Sequence, residues 1–142
     1  MRVLGVDFGL RRLGLAVSDP GEVLASPLRT LRVTTVRDAP VAVSEVAREV
    51  EASAVVVGVP LGLEGEESRP EVRRVERFAR ALRRETGLAV HLVDESLSNR
   101  ERARLAGSGG GRRATGIDDH AAAAAVILQR WLDRPRRDRS GA

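Results

Sequence analysis

Three groups of carboxylates lie far apart along the 142-residue chain, at positions where elements of secondary structure are predicted to begin or end. The groups are Asp7, Asp94 with Glu95, and Asp118 with Asp119. In an α/β sheet, residues just past the carboxyl ends of strands line the ligand crevice, and a helix N-terminus docked there reaches the same edge. We therefore expect acids from all three groups to converge at one point.

Carboxylates gathered at one point repel one another and raise each other's pKa, so a divalent cation is needed to neutralise them. Oxygen-only ligands suit Mg²⁺ or Mn²⁺. Glu95 is preferred to Asp94 because neighbours in an extended strand face opposite ways. The pattern predicts a metal site formed by Asp7, Glu95 and the pair Asp118 and Asp119, one of which can instead stabilise the helix dipole by about 0.3–1 kcal/mol.

Arginines lie close in sequence to these acids and suit a polyanionic ligand. The candidates for nucleic-acid binding are Arg11 and Arg12 in a predicted turn, and Arg100, Arg112 and Arg113 around a glycine-rich stretch at 107–111. Arginine pairs in loops are more often only solvated. His120, next to the paired aspartates, is a candidate ligand or proton shuttle, against the alternative of a helix-surface residue.

A further set of arginines repeats at helical spacing in the segment 69–86, opposite its apolar positions. The set is Arg73, Arg77, Arg80 and Arg84. A charged stripe on an amphipathic helix is usually its solvent-exposed face. The apolar positions Val72, Val75, Ala79 and Leu82 are predicted to be buried.

Composition narrows the classes of function. The basic residues are all arginine, and 24 of them against 20 acids leave a net charge of +4, too small by itself to argue for nucleic acid. Two Phe, one Trp and no Tyr count against single-strand stacking domains. The absence of Cys excludes disulfides, thiolate metal sites and Cys nucleophiles. No Walker A or Gly-x-Gly-x-x-Gly motif, signal peptide or membrane span is found, so a cytoplasmic location is expected.

Hydrophobic periodicity predicts a single α/β domain at 1–132, followed by a basic, disordered tail at 133–142. Two antiparallel strands begin the chain, and strands and helices then alternate, which favours a mixed sheet with helices packed on it. Strands are predicted at 1–8, 13–17, 23–31, 54–58 and 89–94, with Pro27 in an edge or bulge position. Helices are predicted at 41–51, 69–86, 98–106 and 115–132, the second opened by a Ser68–Glu71 capping box.

Four segments, spread over almost the whole chain, resemble the RuvX/YqgF family of Holliday junction resolvases, also studied as precursor 16S rRNA nucleases. They are GVDFGLRRLG at 5–14 with Ser18 and Asp19, VVVGVPL at 55–61 with Glu64 and Gly65, VDESLS at 93–98, and Ile117 and Asp118 with 121–129. The resemblance implies an RNase H-like fold. It also implies that Asp7, Glu95 and an Asp opening the last helix are catalytic metal ligands, with Arg11 and Arg12 near the scissile phosphate.

The chain departs from the family pattern at two points. Ser96 stands where family members usually carry Arg, and a neighbouring residue such as Arg100 is the expected substitute. The alanine run shifts the end of the last helix by two residues, which leaves Asp118 and Asp119 both open as the third ligand. Asp118 is preferred because it matches the family's apolar-Asp pair directly.

The resemblance implies a metal-dependent endonuclease that acts on structured nucleic acid with two Mg²⁺ or Mn²⁺ ions. Holliday junction resolution is the first hypothesis and precursor 16S rRNA processing the alternative. A nucleic-acid binding domain without a working metal site is the non-enzyme alternative. The expected partners are branched DNA or precursor rRNA, and junction resolution, which needs two coordinated cuts, favours a homodimer.

Overall fold

The computed structural model describes residues 1–60, 69–95 and 119–139, which form a five-stranded sheet with helices on both faces. The predicted helix at 98–106 lies outside these residues. The strands are β1 (Arg2–Asp7), β2 (Arg12–Ser18), β3 (Ala25–Arg32), β4 (Ala52–Val59) and β5 (Ala89–Asp94). The helices are α1 (Ala39–Glu49), α2 (Pro70–Thr86) and α3 (Asp119–Leu132), with short 3-10 turns at Val36–Asp38 and Arg136–Asp138.

The sheet has the order β3-β2-β1-β4-β5 and mixes the two pairing types. β1 pairs with β2 and β2 with β3 in antiparallel fashion, whereas β1, β4 and β5 run parallel. The mixed sheet with an antiparallel hairpin start is therefore confirmed. Because β1, β4 and β5 run parallel, their carboxyl ends meet at one edge of the sheet, which carries Asp7, Pro60 and Glu95 and is called the carboxyl edge below.

Strand residues alternate between two buried layers, as the period of two requires. Leu4, Val6 and Leu15 pack in the layer that includes α1 and α2. Val3, Ala16 and Val56 pack in the layer that includes α3. Both faces of the central strands are thus covered, which explains why these strands are apolar along most of their length.

Helix α2 follows the predicted pattern except at its start. Val72, Val75, Ala79 and Leu82 are buried, as predicted. The predicted Ser68 cap is wrong, because Arg69, with an extended backbone, holds the N-cap position and Pro70 is the first helical residue. Proline suits that position, where a backbone N–H would have no partner within the helix. Gly87, at a φ of 72°, ends the helix, and its N–H donates to the carbonyl of Arg83 at 2.9 Å.

The edge strand β3 contains a proline, and the described part of the chain continues past α3 to residue 139. Pro27 lies in the edge strand β3, where the register with β2 shifts, as predicted for a residue that cannot donate to the ladder. In the tail predicted at 133–142, the structure describes residues up to 139, with a 3-10 turn at Arg136–Asp138. Arg139 lies 5.2 Å from the centre of the Trp131 ring and pairs with Glu22 at 3.5 Å.

Among the described helices, none is both long and apolar enough to span a membrane.

Candidate active site

Asp7 and Glu95 meet at the carboxyl edge and share a hydrogen bond between their side chains. Asp7 ends β1 on the face that α3 covers, two residues after Gly5, which contacts α3. The N–H of Glu95 donates to the carbonyl of Val59 at 3.0 Å. That bond extends the parallel ladder one residue past β5 and turns Glu95 toward Asp7. The prediction that Glu95, rather than Asp94, faces Asp7 agrees with this geometry.

The surroundings of the two carboxyl groups favour the protonated form of Glu95. Burial raises the pKa of Glu95 to about 7, assisted by the negative charge of Asp7 and by the hydrogen bond that Glu95 donates to it, with a smaller effect from Asp94. Burial also raises the pKa of Asp7, while its hydrogen bond with Glu95 and the positive charge of His120 act in the opposite direction. A pair of oxygen donors that must share a proton in the absence of a cation fits Mg²⁺ or Mn²⁺, whose charge can replace that proton.

Helix α3 approaches the sheet closely because glycines lie under it. A Cβ atom at Gly14 would lie 1.8 Å from the carbonyl oxygen of His120. A Cβ at Gly5 would lie 2.7 Å from Leu128 Cβ, and one at Gly58 would lie 2.5 Å from Ile127 Cδ1. At Gly5 and Gly14 no side chain larger than hydrogen fits without moving the helix, whereas at Gly58 the flexible end of the Ile127 side chain would have to move.

The close contact at Gly14 brings the start of α3 to Asp7. Gly14 pairs with Asp7 across β1 and β2, so the backbone of His120 lies above the strand partner of Asp7. His120 is half-buried, and its charge acts on Asp7. Sequence reasoning did not identify the close approach at Gly14 or Gly58, and the signal that could have done so is a glycine in a strand near the carboxyl edge.

The structure describes only one of the two aspartates predicted at the start of α3. Asp119 is the first described residue of α3, and its side chain is exposed. Asp118 lies outside the described residues. Within residues 1–60, 69–95 and 119–139, no group of three or more His, Asp or Glu side chains is arranged to hold a metal ion. The third ligand therefore stays a prediction, with Asp118 and Asp119 both open.

Two of the five arginines predicted to bind nucleic acid lie within the described residues. Arg11 lies in the turn between β1 and β2, and Arg12 is the first residue of β2. Both are exposed, a few residues past Asp7 at the carboxyl edge. The turn is fixed by a bond from the N–H of Val33 to the carbonyl of Arg11 at 3.0 Å. The other three candidates, Arg100, Arg112 and Arg113, lie outside the described residues.

A pocket of about 230 Å³ opens beside Glu95 and adds two residues that sequence reasoning missed. Glu71 and Arg74, from the first turns of α2, line it together with Phe8 and Gly9. Arg74 is exposed and lies outside the arginine stripe read from the sequence. The available indication was the chain order, because a helix that follows a parallel strand starts at the edge where that strand ends.

Ser18 and Asp19, part of the family resemblance, have a structural role at the far end of β2. Ser18 Oγ accepts from the N–H of Val3 at 2.9 Å and donates to the carbonyl of Asp19 at 2.9 Å. The carboxylate of Asp19 accepts from the N–H groups of Val23 and Leu24, both at 2.8 Å, which lowers its pKa. These bonds fix the turn between β2 and β3, away from the carboxyl edge.

Sequence comparison finds relatives over almost the whole chain. The model of the RuvX family, described as Holliday junction resolvase, matches residues 1–134. A protein of Maridesulfovibrio salexigens is 38% identical over 138 residues, covering 94% of this chain and 99% of that protein. A protein of Anaeromyxobacter dehalogenans (strain 2CP-1) is 43% identical over 135 residues, covering 94% and 98%. Both carry the provisional name pre-16S rRNA nuclease.

Solved structures with the same fold include two resolvases. The T. thermophilus RuvC in complex with a Holliday junction superposes with a TM-score of 0.63 and 22% identity, covering 98% of this chain and 97% of that chain. The fowlpox virus Holliday junction resolvase has a TM-score of 0.54 and 12% identity, with coverages of 94% and 99%. At these identities the likeness shows the fold, and it confirms the predicted RNase H-like class.

Proposed function

The chain belongs to the RuvX family of nucleases, and on that premise we propose that it is a divalent-metal-dependent endonuclease for structured nucleic acid. The observation that carries the proposal is the hydrogen-bonded pair Asp7 and Glu95 beside the start of α3. A half-buried acid pair lowers the stability of the metal-free protein, because burial disfavours the charged forms, and such a cost is typical of residues that serve a ligand. Asp118 is the proposed third ligand and Asp119 its alternative.

The side chains at the carboxyl edge have different roles in the proposed reaction. Bound Mg²⁺ or Mn²⁺ supplies activation of water and stabilisation of the leaving oxygen. Asp7 and Glu95 would provide oxygen ligands for the ion, with the Glu95 carboxyl group in its ionised form. Arg11 and Arg12 hold the phosphate on the open side of the turn with charge-assisted hydrogen bonds. None of these groups reads a base, so selectivity for the shape of the nucleic acid is expected.

Two natural substrates have separate support. Precursor 16S rRNA is favoured by the names of the relatives at 38% and 43% identity. A four-way DNA junction, the first hypothesis from the sequence, is favoured by the description of the family model. Cleavage rates on a precursor rRNA fragment and on a four-way junction, measured side by side with Mn²⁺, decide between them. A homodimer and a cytoplasmic location stay predictions.

The test of the proposal is the variant Asp7→Asn. It is expected to abolish Mn²⁺-supported cleavage of both substrates while leaving their binding intact, because the change removes a charge and keeps the shape. Mn²⁺ should raise the melting temperature of the wild type and not of the variant, since a ligand bound only by the native state stabilises it. Unchanged turnover in Asp7→Asn would remove this residue from the mechanism.

A matched pair of variants addresses the third ligand. Asp118→Asn is expected to lose cleavage and Asp119→Asn to keep it, and the reverse result assigns the role to Asp119. The non-enzyme alternative makes a different prediction: neither cleavage nor a Mn²⁺-dependent change in melting temperature in the wild-type protein. That result would contradict the endonuclease proposal as a whole.

A further inference from the structure

A second concave surface lies next to the site pocket and is more basic. It is a groove of about 870 Å³ between the start of α1 and the second half of α2. Within the described part of the chain, its lining includes four arginines and no carboxylate. Arg37 comes from the 3-10 turn before α1, and Arg77, Arg80 and Arg84 come from α2. We call this surface the arginine groove.

The arginine groove and the site pocket are joined through α2 and a pair of aromatic rings. Arg74 lines the site pocket, whereas Arg77 lines the groove one turn further along the same helix. The rings of Phe8, in the pocket, and Phe78, in the groove, contact each other in a tilted arrangement, with ring centres 4.7 Å apart and planes at 32°. From Arg74 to Arg84 the helix rises about 15 Å. A phosphate backbone that follows α2 from Arg84 toward Arg74 therefore runs toward the carboxyl edge.

The chemistry of the groove suits a phosphate backbone. Arg77, Arg80 and Arg84 are exposed and lie on one side of α2. They span roughly 10 Å along its axis, which is about three nucleotides of one strand at 3.4 Å each. Arginine stays charged at any physiological pH and hydrogen-bonds phosphate in a bidentate manner.

The same lining disfavours recognition of unpaired bases. Single strands are held by stacking bases on exposed aromatic rings. The aromatic residue of the groove, Phe78, is only 3% exposed and packs into the core. Contacts to the sugar-phosphate backbone alone favour a double helix, whose phosphates are already held at regular spacing.

We propose that the arginine groove binds the phosphate backbone of a double-helical arm of the substrate, next to the bond that is cut. The inference rests on the proposed function for the identity of the substrate. It adds a second contact region, distinct from Arg11 and Arg12, that would hold the helical arm along α2 on its way to the carboxyl edge.

The test is binding of fluorescent probes in EDTA, so that no cleavage interferes. The probes are a 20-base-pair RNA stem, a DNA duplex of the same length and a single-stranded 20-mer. The triple variant Arg77→Gln, Arg80→Gln, Arg84→Gln is expected to bind the duplexes about 10- to 100-fold more weakly near 0.1 M salt. The slope of log affinity against log salt should become shallower by about 2 to 3 units. Arg37→Gln alone should reduce the slope by about 1.

The control is a second triple variant with the same loss of charge, Arg2→Gln, Arg48→Gln, Arg137→Gln, at exposed positions outside the groove. It should retain duplex affinity within about threefold. Wild-type duplex binding and salt slope in the groove variant, an equal loss in the control, or a loss confined to the single strand would each overturn the inference. A wild type that binds duplex without cleaving contradicts the proposed function and leaves the groove supported. Melting curves of both variants verify folding.

Discussion

The two faces of the sheet are built from the same strands but from different kinds of residue. Toward α1 and α2 the strands present large side chains, including Leu4, Val6 and Leu13. Toward α3 the neighbouring positions are Gly5, Asp7 and Gly14. The first face is filled by large side chains, whereas the second combines apolar packing, as at Val3 and Val56, with glycines that let a helix backbone approach the strands. The paired carboxylates lie on the second face, since a helix start reaches two strand ends only where side chains are small.

We expect the face toward α1 and α2 to determine mainly stability and the face toward α3 to determine the position of the catalytic acids. The largest expected effect is on the position of the acids. Gly14→Ala places a methyl group 1.8 Å from the carbonyl oxygen of His120, an atom that cannot move without moving α3. We expect metal-dependent cleavage to fall by about 100-fold or more, because displacements of about 1 Å at a reacting centre have that effect. Initial rates with Mn²⁺ under saturating substrate provide the measurement.

Gly87→Ala is the matched control for that variant. Gly87 lies at the end of α2 with a positive φ of 72°, and a methyl group added there would meet no other atom within 4 Å. The substitution should lower the free energy of unfolding by about 1 kcal/mol through backbone strain and leave cleavage unchanged. Equal activities of the two variants would contradict the role assigned to the close approach of α3.

Large-to-small substitutions on the two faces test whether stability and cleavage respond differently. Leu82→Ala, in the core under α2, should lower the free energy of unfolding by about 2–5 kcal/mol, while cleavage measured well below the melting temperature stays within about threefold. Leu128→Ala, above Gly5, should cost a similar amount and also slow cleavage about tenfold, because α3 loses the side chain that packs on β1 beside Gly5. Denaturant unfolding and cleavage rates of both variants check this, and similar activity losses in both would remove the distinction between the faces.

The acid pair predicts how the stability of the metal-free protein depends on pH. The folded-state pKa of Glu95, about 7, lies above its ordinary value of 4.5, so the folded protein binds more protons than the unfolded chain between these values. Stability should therefore fall as pH rises from about 4.5 to about 7, by several degrees in melting temperature. Glu95→Gln should flatten this decline, and Mn²⁺ should oppose it in the wild type. A decline of equal size in Glu95→Gln would assign it to other groups.

Much of this arrangement could be predicted from the sequence, for reasons that differ from residue to residue. The alternation of β1 and the position of Asp7 at its end are local properties, and the opposite orientation of Asp94 and Glu95 follows from strand geometry. The role of Gly14 depends on which face α3 covers, and a periodic pattern cannot decide that. Arg74 was missed because its distance from Glu95 depends on the direction in which α2 leaves the sheet. The start of α2 was misplaced by one residue because Pro70 takes the first helical position without help from a side-chain cap.

The smallest expected effect concerns the opposite end of α3. Gln129 accepts from the N–H of Ala25 and donates to the carbonyl of Val23, both at 2.9 Å, which ties the helix to the beginning of β3. Gln129→Ala should cost about 1 kcal/mol, because water replaces these partly exposed bonds. Cleavage should be unchanged, since the anchor lies about 14 Å along the helix axis from His120.

Gln129→Glu refines that last prediction. The new side chain keeps an acceptor for Ala25, loses the donor for Val23 and places a second negative charge beside Asp133, to which Gln129 now donates at 2.9 Å. We expect a stability loss at least as large as that of Gln129→Ala, growing as pH rises through the range where carboxyl groups ionise. If either variant instead slows cleavage as strongly as Gly14→Ala, then α3 is positioned along its whole length and not chiefly by the glycines at its start.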